Sequence, residues 1–453
     1  MKAHIQLDFQ ASPEERLRKG QELRGNFDLQ ALRDFRPDRH NKTALALFQD
    51  SDSTRLKKYI PIRYGRMLES AFATFRGGAA VMARDLAHLP RSGVQVQLCG
   101  DTHLGNFGLY ASPERHMMFD LNDFDETLPG PFEFDLYRLT ASCAVAALHL
   151  GFAESTARNI VQAALQSYRE HTADFAKMGH LEVWYHHIGT TRVMDMLDEA
   201  RDHMRKSVRK AEDKTSQTAV EKMALWTASG WKFKPDPPKI EPVDNRTLHL
   251  SLQHFFSTYL ESLPDDRHFL LSKYTFVDAA FRLTGVGSAG RQAYLALMQG
   301  QDRKDTLLLQ LKQAFPSVLE EALGQSAYSH HGQRVVAGQK LMQANSDIFL
   351  GWSTFRNRNF YVRQLRDRKG SIDINDLSAQ DLKEYSELCA YVLARAHARS
   401  GDAALISGFL MEETAFDEAL ANFALRYAEL NQADHDQLLK AAHAGEIPVE
   451  WGI

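Results

Sequence analysis

Apolar positions recur along this chain with two periods, and the changes of period mark its elements. Val94, Val96 and Leu98 alternate with polar residues, which predicts a half-buried strand ended by Gly100. Met117, Met118 and Phe119 form a second short apolar run that ends in carboxylates. Upstream, Met67, Leu68, Phe72, Phe75, Ala79, Met82, Ala83 and Leu86 fall near helical spacing. Gly77 and Gly78 interrupt that pattern, and glycine is costly inside a helix, so a break between two helices is expected there. Ser12-Pro13-Glu14-Glu15 reads as a helix cap with proline in the first turn. After the strands, Leu136, Leu139, Cys143, Ala146 and Leu150 share one helical face, and a further helix is expected through Ala153–Thr172. Arg201–Lys214 is a basic run in a polar helical stretch, read first as a solvated face. Trp231–Val243 holds four prolines and reads as an extended connector at a domain boundary.

The pattern changes again near Phe276. Thr284-Gly285-Val286-Gly287-Ser288-Ala289-Gly290 is a glycine-rich turn of the form G-x-G-x-x-G. Two short apolar runs follow, Ala293–Met298 and Thr306–Lys312, with Gly300 and a polar turn between them. A dinucleotide fingerprint would open a helix instead, so a strand–turn–strand unit is favoured. Gln333–Met342 and Asn359–Leu365 read as two more strands, and Pro316-Ser317 as a helix start. From Ser378 the chain is helical, with Leu382, Tyr385, Leu388, Cys389, Val392 and Leu393 on one face. The expected class is α+β. Its parts are an N-terminal helical segment (1–60), a first part of a helical lobe (61–265), a small antiparallel lobe around the glycine-rich turn (266–370) and C-terminal helices returning to the helical lobe (371–453).

Composition narrows the setting. The 453 residues are 44% hydrophobic and 25% charged, ordinary for a globular chain long enough for more than one domain. A net charge of -4 gives no basic field for nucleic acid or anionic lipid. Cys99, Cys143 and Cys389 are far apart and odd in number, which argues against a disulfide framework or zinc site and for a reducing compartment. No signal-like run opens the sequence, and no stretch approaches the ~20 apolar residues of a membrane span. A cytoplasmic, membrane-free protein is expected.

The candidate chemistry lies between Val94 and Arg138. Asp101, His103, Asn106, Asp120, Asn122, Asp123, Asp125, Glu126 and Asp135 crowd the ends of two expected strands. Carboxylates and amides at one edge suit a divalent cation, which prefers hard oxygen ligands. His103 is read either as a metal or phosphate contact or as a loop-packing residue. Beside the glycine break, Arg76 is expected to point at a phosphate.

The spacing of these residues resembles the phosphotransferase branch of the protein-kinase-like superfamily, which includes aminoglycoside and choline kinases. The family's GD-x-H-x-x-N loop matches Gly100–Asn106, its D-F motif matches Asp123-Phe124, and its G-x-x-x-x-D-L helix start matches Gly130–Leu136. The resemblance implies a kinase-like two-lobe fold and these roles: Asp101 as catalytic base with His103 beside it, Asn106 and Asp123 holding Mg2+, and Asp135 bracing the loop. It also implies that Gly285, Gly287, Ser288 and Gly290 close over ATP phosphates, that Lys312 contacts them, and that Glu320 pairs with Lys312. Asp120 and Asp125 stand in reserve as metal ligands. The family often has histidine where this chain has Cys99. Because the catalytic loop precedes the glycine loop here, the implied fold is circularly permuted. Over its whole length the chain also resembles a bacterial family known as domain of unknown function 2252. The phrases that carry this are FRGGA, CGDTHLGNFG, FDLNDFDE, GVGSAGR, FYVRQLRDRKGS and LARAHARSGD. The implied activity is Mg-dependent phosphoryl transfer from ATP to an unidentified hydroxyl on a small molecule or protein. Adenylyl transfer, a metal-dependent phosphoesterase built on Asp101-Thr102-His103 and Asn122-Asp123, and a non-catalytic nucleotide-binding scaffold are the alternatives.

Overall fold

The computed structural model describes residues 10–39, 42–213, 215–243, 246–365, 368–411 and 414–452. Residues 1–9, Lys214 at the end of the basic run, and Arg366 and Asp367 in FYVRQLRDRKGS lie outside them. The strands are β1 (Gln95–Leu98), β2 (Phe107–Ala111), β3 (Met117–Leu121), β4 (Leu128–Pro131), β5 (Ala224–Thr227) and β6 (Gly230–Phe233). They continue as β7 (Ile240–Pro242), β8 (Thr275–Arg282), β9 (Ala293–Gln299), β10 (Thr306–Gln313), β11 (Gly351–Phe355) and β12 (Arg358–Gln364). The architecture is mixed α+β with antiparallel sheets. Among the described residues no helix is long and apolar enough to cross a membrane.

The main sheet runs β11-β12-β10-β9-β8-β7, antiparallel throughout. Every residue of β10 is buried, as a central strand requires when both faces are covered. Its side chains divide with period two. Leu307, Leu309 and Leu311 pack with Phe255, Phe256 and Tyr259 of the helix Arg246–Leu260. Leu308 faces the other way, with Val220 and Met223 of the helix Ser216–Met223 and Trp231 and Phe233 of β6. Lys312 is the one basic side chain this strand buries.

A larger core joins the β1–β4 and β2–β3 ladders to the helices Glu133–His149, Glu154–Lys177, Ala379–Ser400 and Thr414–His443. Glu133–His149 is buried on all sides through Ala147, not on the one face its spacing predicts. Its buried charged residues Glu133, Asp135 and Arg138 are each hydrogen-bonded, as burial of a charge requires. Gln97 is buried as well, so β1 is enclosed on both faces toward its end while Gln95 at its start stays exposed.

The predicted cap at Ser12 is present: its hydroxyl accepts the Glu15 N–H and the Glu15 carboxylate accepts the Ser12 N–H. The helix break falls at Gly78, between Ala71–Gly77 and Ala79–Asp85. Two further expectations are corrected. Gln333–Met342 is not a strand but most of a helix, His331–Met342. His330 caps it by accepting the Gln333 N–H, and Val335, Val336 and Met342 are buried in the main core, so packing overrides the β-branched pair. Trp231–Val243 is not a bare connector: β6 pairs with β5, and β7 pairs with β8 as an edge of the main sheet. The sheet therefore draws on residues well before 266.

Candidate functional site

The site begins where β1 ends. Gly100 has φ +86, and a Cβ there would overlap the Glu126 carbonyl, so only glycine fits this turn. The loop that follows is tied to the helix Glu133–His149. Asp135 accepts the N–H groups of Cys99 (2.7 Å) and Gly100 (2.9 Å), and Thr102 donates to the Asp135 carbonyl at 2.6 Å. Ser142 accepts the Leu104 N–H at 2.9 Å. His397, from LARAHARSGD, stands 3.2 Å from Asp135 through Nε2 and 2.7 Å from the Tyr168 hydroxyl through Nδ1. Asp135 therefore braces the loop as expected, and a histidine from the far end of the chain supports it.

Asp101 is aimed into the cleft beside Arg138, whose Nε donates to Oδ1 at 2.9 Å. Burial pushes the Asp101 carboxyl up to about 6, against the opposing pull of Arg138. His103 is buried, with Nε2 3.9 Å from Asp101 Oδ2 and no hydrogen-bond partner at Nδ1. Burial, reinforced by Arg76 and Arg138, holds its imidazole well below the ordinary histidine range, so it is neutral. Asn106 Nδ2 donates to the Asp101 carbonyl at 2.6 Å, which fixes the amide and leaves Oδ1 as a hard oxygen. The Asn122 N–H donates to the Asn106 carbonyl at 2.9 Å, which links this loop to the next.

That next loop, Asp123-Phe124-Asp125-Glu126, meets the main sheet. Lys312 Nζ lies 2.6 Å from Asp125 Oδ2 and 3.2 Å from Asp123 Oδ2. The Tyr361 hydroxyl donates to Asp125 Oδ1 at 2.7 Å. Burial alone would raise the Asp125 carboxyl, but Lys312 and Arg291 outweigh it and hold it well below the carboxylate range. Burial likewise opposes the Lys312 charge, and Asp123 with Asp125 overcomes it and pushes the amine up. Glu126 accepts from Arg291 at 3.4 Å and from the Val318 N–H at 2.8 Å. Arg334 donates to the carbonyls of Thr127 (2.5 Å), Asp125 (2.7 Å) and Phe315 (2.8 Å), clamping the loop from below.

The glycine turn closes the other side. Arg55 donates to the carbonyls of Ala289 (2.5 Å) and Gly287 (2.9 Å), and Arg66 donates to that of Thr284. The loop's carbonyls are thus held from outside. No N–H of residues 285–288 is donated to another described residue. Asp101, His103, Asn106, Asp123, Lys312, Gly285, Gly287 and Ser288 all line one cleft of about 530 Å³, a size suited to a small-molecule ligand.

Some predicted residues fall outside this arrangement. Gly290 does not line the cleft: it packs on the Arg55 side chain and its carbonyl accepts the Leu56 N–H at 2.8 Å. Glu320 is not the partner of Lys312. It opens a helix of only four residues, Glu320–Leu323, and its carboxylate accepts the Ser317 N–H at 3.2 Å. Asp125 fills that role instead and is no reserve metal ligand. Asp120 is not one either: its oxygens take Arg395 Nη2 (2.5 Å) and the N–H groups of Leu121 (2.9 Å) and Ala344 (3.0 Å). Among the described residues no three His, Cys, Asp or Glu side chains are grouped to hold a metal, as the phosphoesterase alternative requires. Arg138 lies three residues past Asp135 on the same helix, a spacing that marks it as facing the same loop. Nothing in the sequence flags Arg55 or Arg334, and Tyr361 stands out only as part of FYVRQLRDRKGS.

No curated protein and no solved structure matches this chain. One family model does, over residues 55–441, a span that takes in the Asp101 loop, the glycine turn and His397. The chain therefore belongs to the bacterial family DUF2252, described as an uncharacterized protein conserved in bacteria.

Proposed function

We propose that this chain is a Mg-dependent, ATP-using phosphotransferase acting on a hydroxyl-bearing acceptor, with a kinase-like division of labour in permuted order. The observation that carries this reading is the pairing of Lys312 with Asp123, 189 residues apart in sequence and 3.2 Å apart in one cleft with Asp101 and the glycine turn. In this reading residues 61–265 and 371–453 form the helical lobe, 266–370 form the nucleotide lobe, and β5–β7 extend the latter.

Asn106 Oδ1 and the Asp123 carboxylate are a hard-oxygen pair beside the lysine, and Mg2+ takes few protein ligands and completes its shell with phosphates and water. The residues present fit it. When bound, the ion would neutralise charge on the β- and γ-phosphates. Lys312 and the free N–H groups of residues 285–288 would hold the phosphates, and Asp125 with Tyr361 keeps Lys312 charged and aimed. Asp101 would orient the acceptor hydroxyl and take its proton as its oxygen bonds to the γ-phosphorus. The bond from that phosphorus to the bridging oxygen breaks, leaving ADP and a phosphorylated acceptor. At neutral pH a carboxyl near 6 is mostly ionised and ready to accept that proton. Arg138 fixes its direction.

A thermal-shift panel with ATP, GTP and NAD, each with and without Mg2+, tests the reading. Mg·ATP is expected to raise the melting temperature more than ATP alone. Stabilisation by NAD with none by Mg·ATP would overturn it.

A further inference from the structure

Among the cleft's basic side chains, Arg76 stands without a partner. Lys312 rests on Asp123 and Asp125, Arg291 on Glu126, and Arg84 on Glu321. Arg55 is spent on the glycine-turn carbonyls, and Arg363 on Gln310 and the Asn122 carbonyl. Arg76 lines the same cleft, yet makes no hydrogen bond or ion pair with any described residue, and its Nε is buried without a partner. Arg76 is half-buried, with only Nε fully enclosed, and a guanidinium partly removed from water with no bonded counter-charge is unfavourable, so the position favours an anion. Burial accordingly disfavours its charged form, with the nearby Asp101 opposing that effect.

Its location specifies which anion. A Cβ built on Gly287 would come 3.4 Å from the Arg76 carbonyl oxygen, and one built on Gly105 would come 3.4 Å from Arg76 Nε. Arg76 therefore reaches from the glycine turn, on the donor side, to the loop that carries Asp101, on the acceptor side. It occupies the last turn of the helix Ala71–Gly77, which Gly78 ends. In an in-line transfer the moving phosphoryl group lies between those two sides, and charge collects on its equatorial oxygens.

We propose that Arg76 contacts the phosphoryl group in transit and stabilises its charge, as an arginine finger supplied from within the chain. This rests on the phosphotransferase reading. It gives a catalytic role to the FRGGA segment.

The test compares binding of Mg·ADP alone with binding of Mg·ADP plus aluminium fluoride, which stands in for the phosphoryl group in transit. Calorimetry is run on the parent, Arg76→Ala, Arg76→Gln and Arg76→Lys. The parent is expected to bind more tightly with aluminium fluoride. The Ala and Gln variants are expected to lose that gain while Mg·ADP affinity stays within about twofold, because Lys312 and the glycine turn hold the diphosphate. Single-turnover ATP cleavage should fall ~10³-fold or more in both, with partial recovery in Arg76→Lys. Melting temperatures should match or exceed the parent's, since Arg76 donates no hydrogen bond within the protein. Variants that keep the full aluminium-fluoride gain would overturn the role of Arg76 and leave the phosphotransferase reading standing. A parent that binds no Mg·ADP would overturn that reading, and Arg76 with it.

Discussion

Asp120 and Asp123 sit on one stretch of chain, at the end of β3 and in the loop just after it, and have opposite surroundings. The Asp120 side chain is 2% exposed and its oxygens are filled by Arg395, two backbone N–H groups and the Tyr110 hydroxyl. The Asp123 side chain is 34% exposed, faces the cleft, and among the described residues forms an ion pair with Lys312 alone. The residue type is the same and so is the local pattern. What separates them is whether the fold uses up the carboxylate's hydrogen-bonding capacity. A filled carboxylate holds the structure together, and an open one in a cleft is available to a ligand.

The largest effect expected from this contrast is on stability. Asp120→Ala leaves the buried Arg395 guanidinium without its counter-charge, and breaking such a pair costs about 3–5 kcal/mol. Urea unfolding measures it directly. Replacing both partners, Asp120→Leu with Arg395→Met, should recover much of the loss, because an apolar pair of similar volume is often neutral. Asp120→Ala as stable as the parent would break the comparison at its structural end.

Asp101→Asn should leave the fold and Mg·ATP affinity close to the parent's and slow ATP turnover ~10²–10⁴-fold, the usual contribution of a general base. Steady-state ATP hydrolysis and calorimetry read the two parts separately. If nucleotide binding is lost along with turnover, Asp101 faces the donor and not the acceptor.

Asp125→Asn removes one of the two carboxylates on Lys312, and a hydrogen bond to a charged group is worth about 1.5–3 kcal/mol. Mg·ATP affinity should drop by a comparable amount, whereas Glu320→Gln should leave it unchanged. Equal losses in the two variants would restore Glu320 as the lysine's partner.

A smaller effect concerns pH. Glu133 is buried at the start of its helix, where it accepts from the Ser92 N–H and hydroxyl, and burial pushes its carboxyl up from 4.5 to about 7. A raised folded value means the proton is held more tightly in the fold. The associated stability is present below pH ~4.5 and is lost as pH rises through about 7. Glu133→Gln should flatten that slope in unfolding midpoints measured from pH 5 to 8. An unchanged slope would show that Glu133 does not set it.

Periodicity foretold the strands β1, β3, β9, β10 and β12 and the long helices, because burial of one face or both is written in the order of apolar residues. It failed at residues 331–342, where a β-branched pair sits in a helix fixed by His330 and by packing against the core. The candidate site's geometry was legible where its residues lie in one local run: Asp101, Asn106 and Asp123 line one cleft, and Asp135 holds the loop beneath it. It was not legible where contacts join distant segments. Asp125 finds Lys312, Arg55 finds the glycine turn, and His397 finds Asp135 across 187, 232 and 262 positions or more, and no local pattern encodes such meetings. Likewise nothing in FDLNDFDE tells Asp120 from Asp123, since burial is decided by Arg395 and the helix His331–Met342.

The central claim is that the open carboxylate, unlike the filled one, serves a Mg-bound nucleotide. Calorimetric titration of the parent and Asp123→Ala with ATP, in the presence and absence of Mg2+, tests it most directly. The account predicts Mg-dependent ATP binding in the parent, and in Asp123→Ala a protein that melts like the parent but has lost the Mg-dependent part of the affinity. Asp123→Ala binding Mg·ATP as tightly as the parent would contradict it.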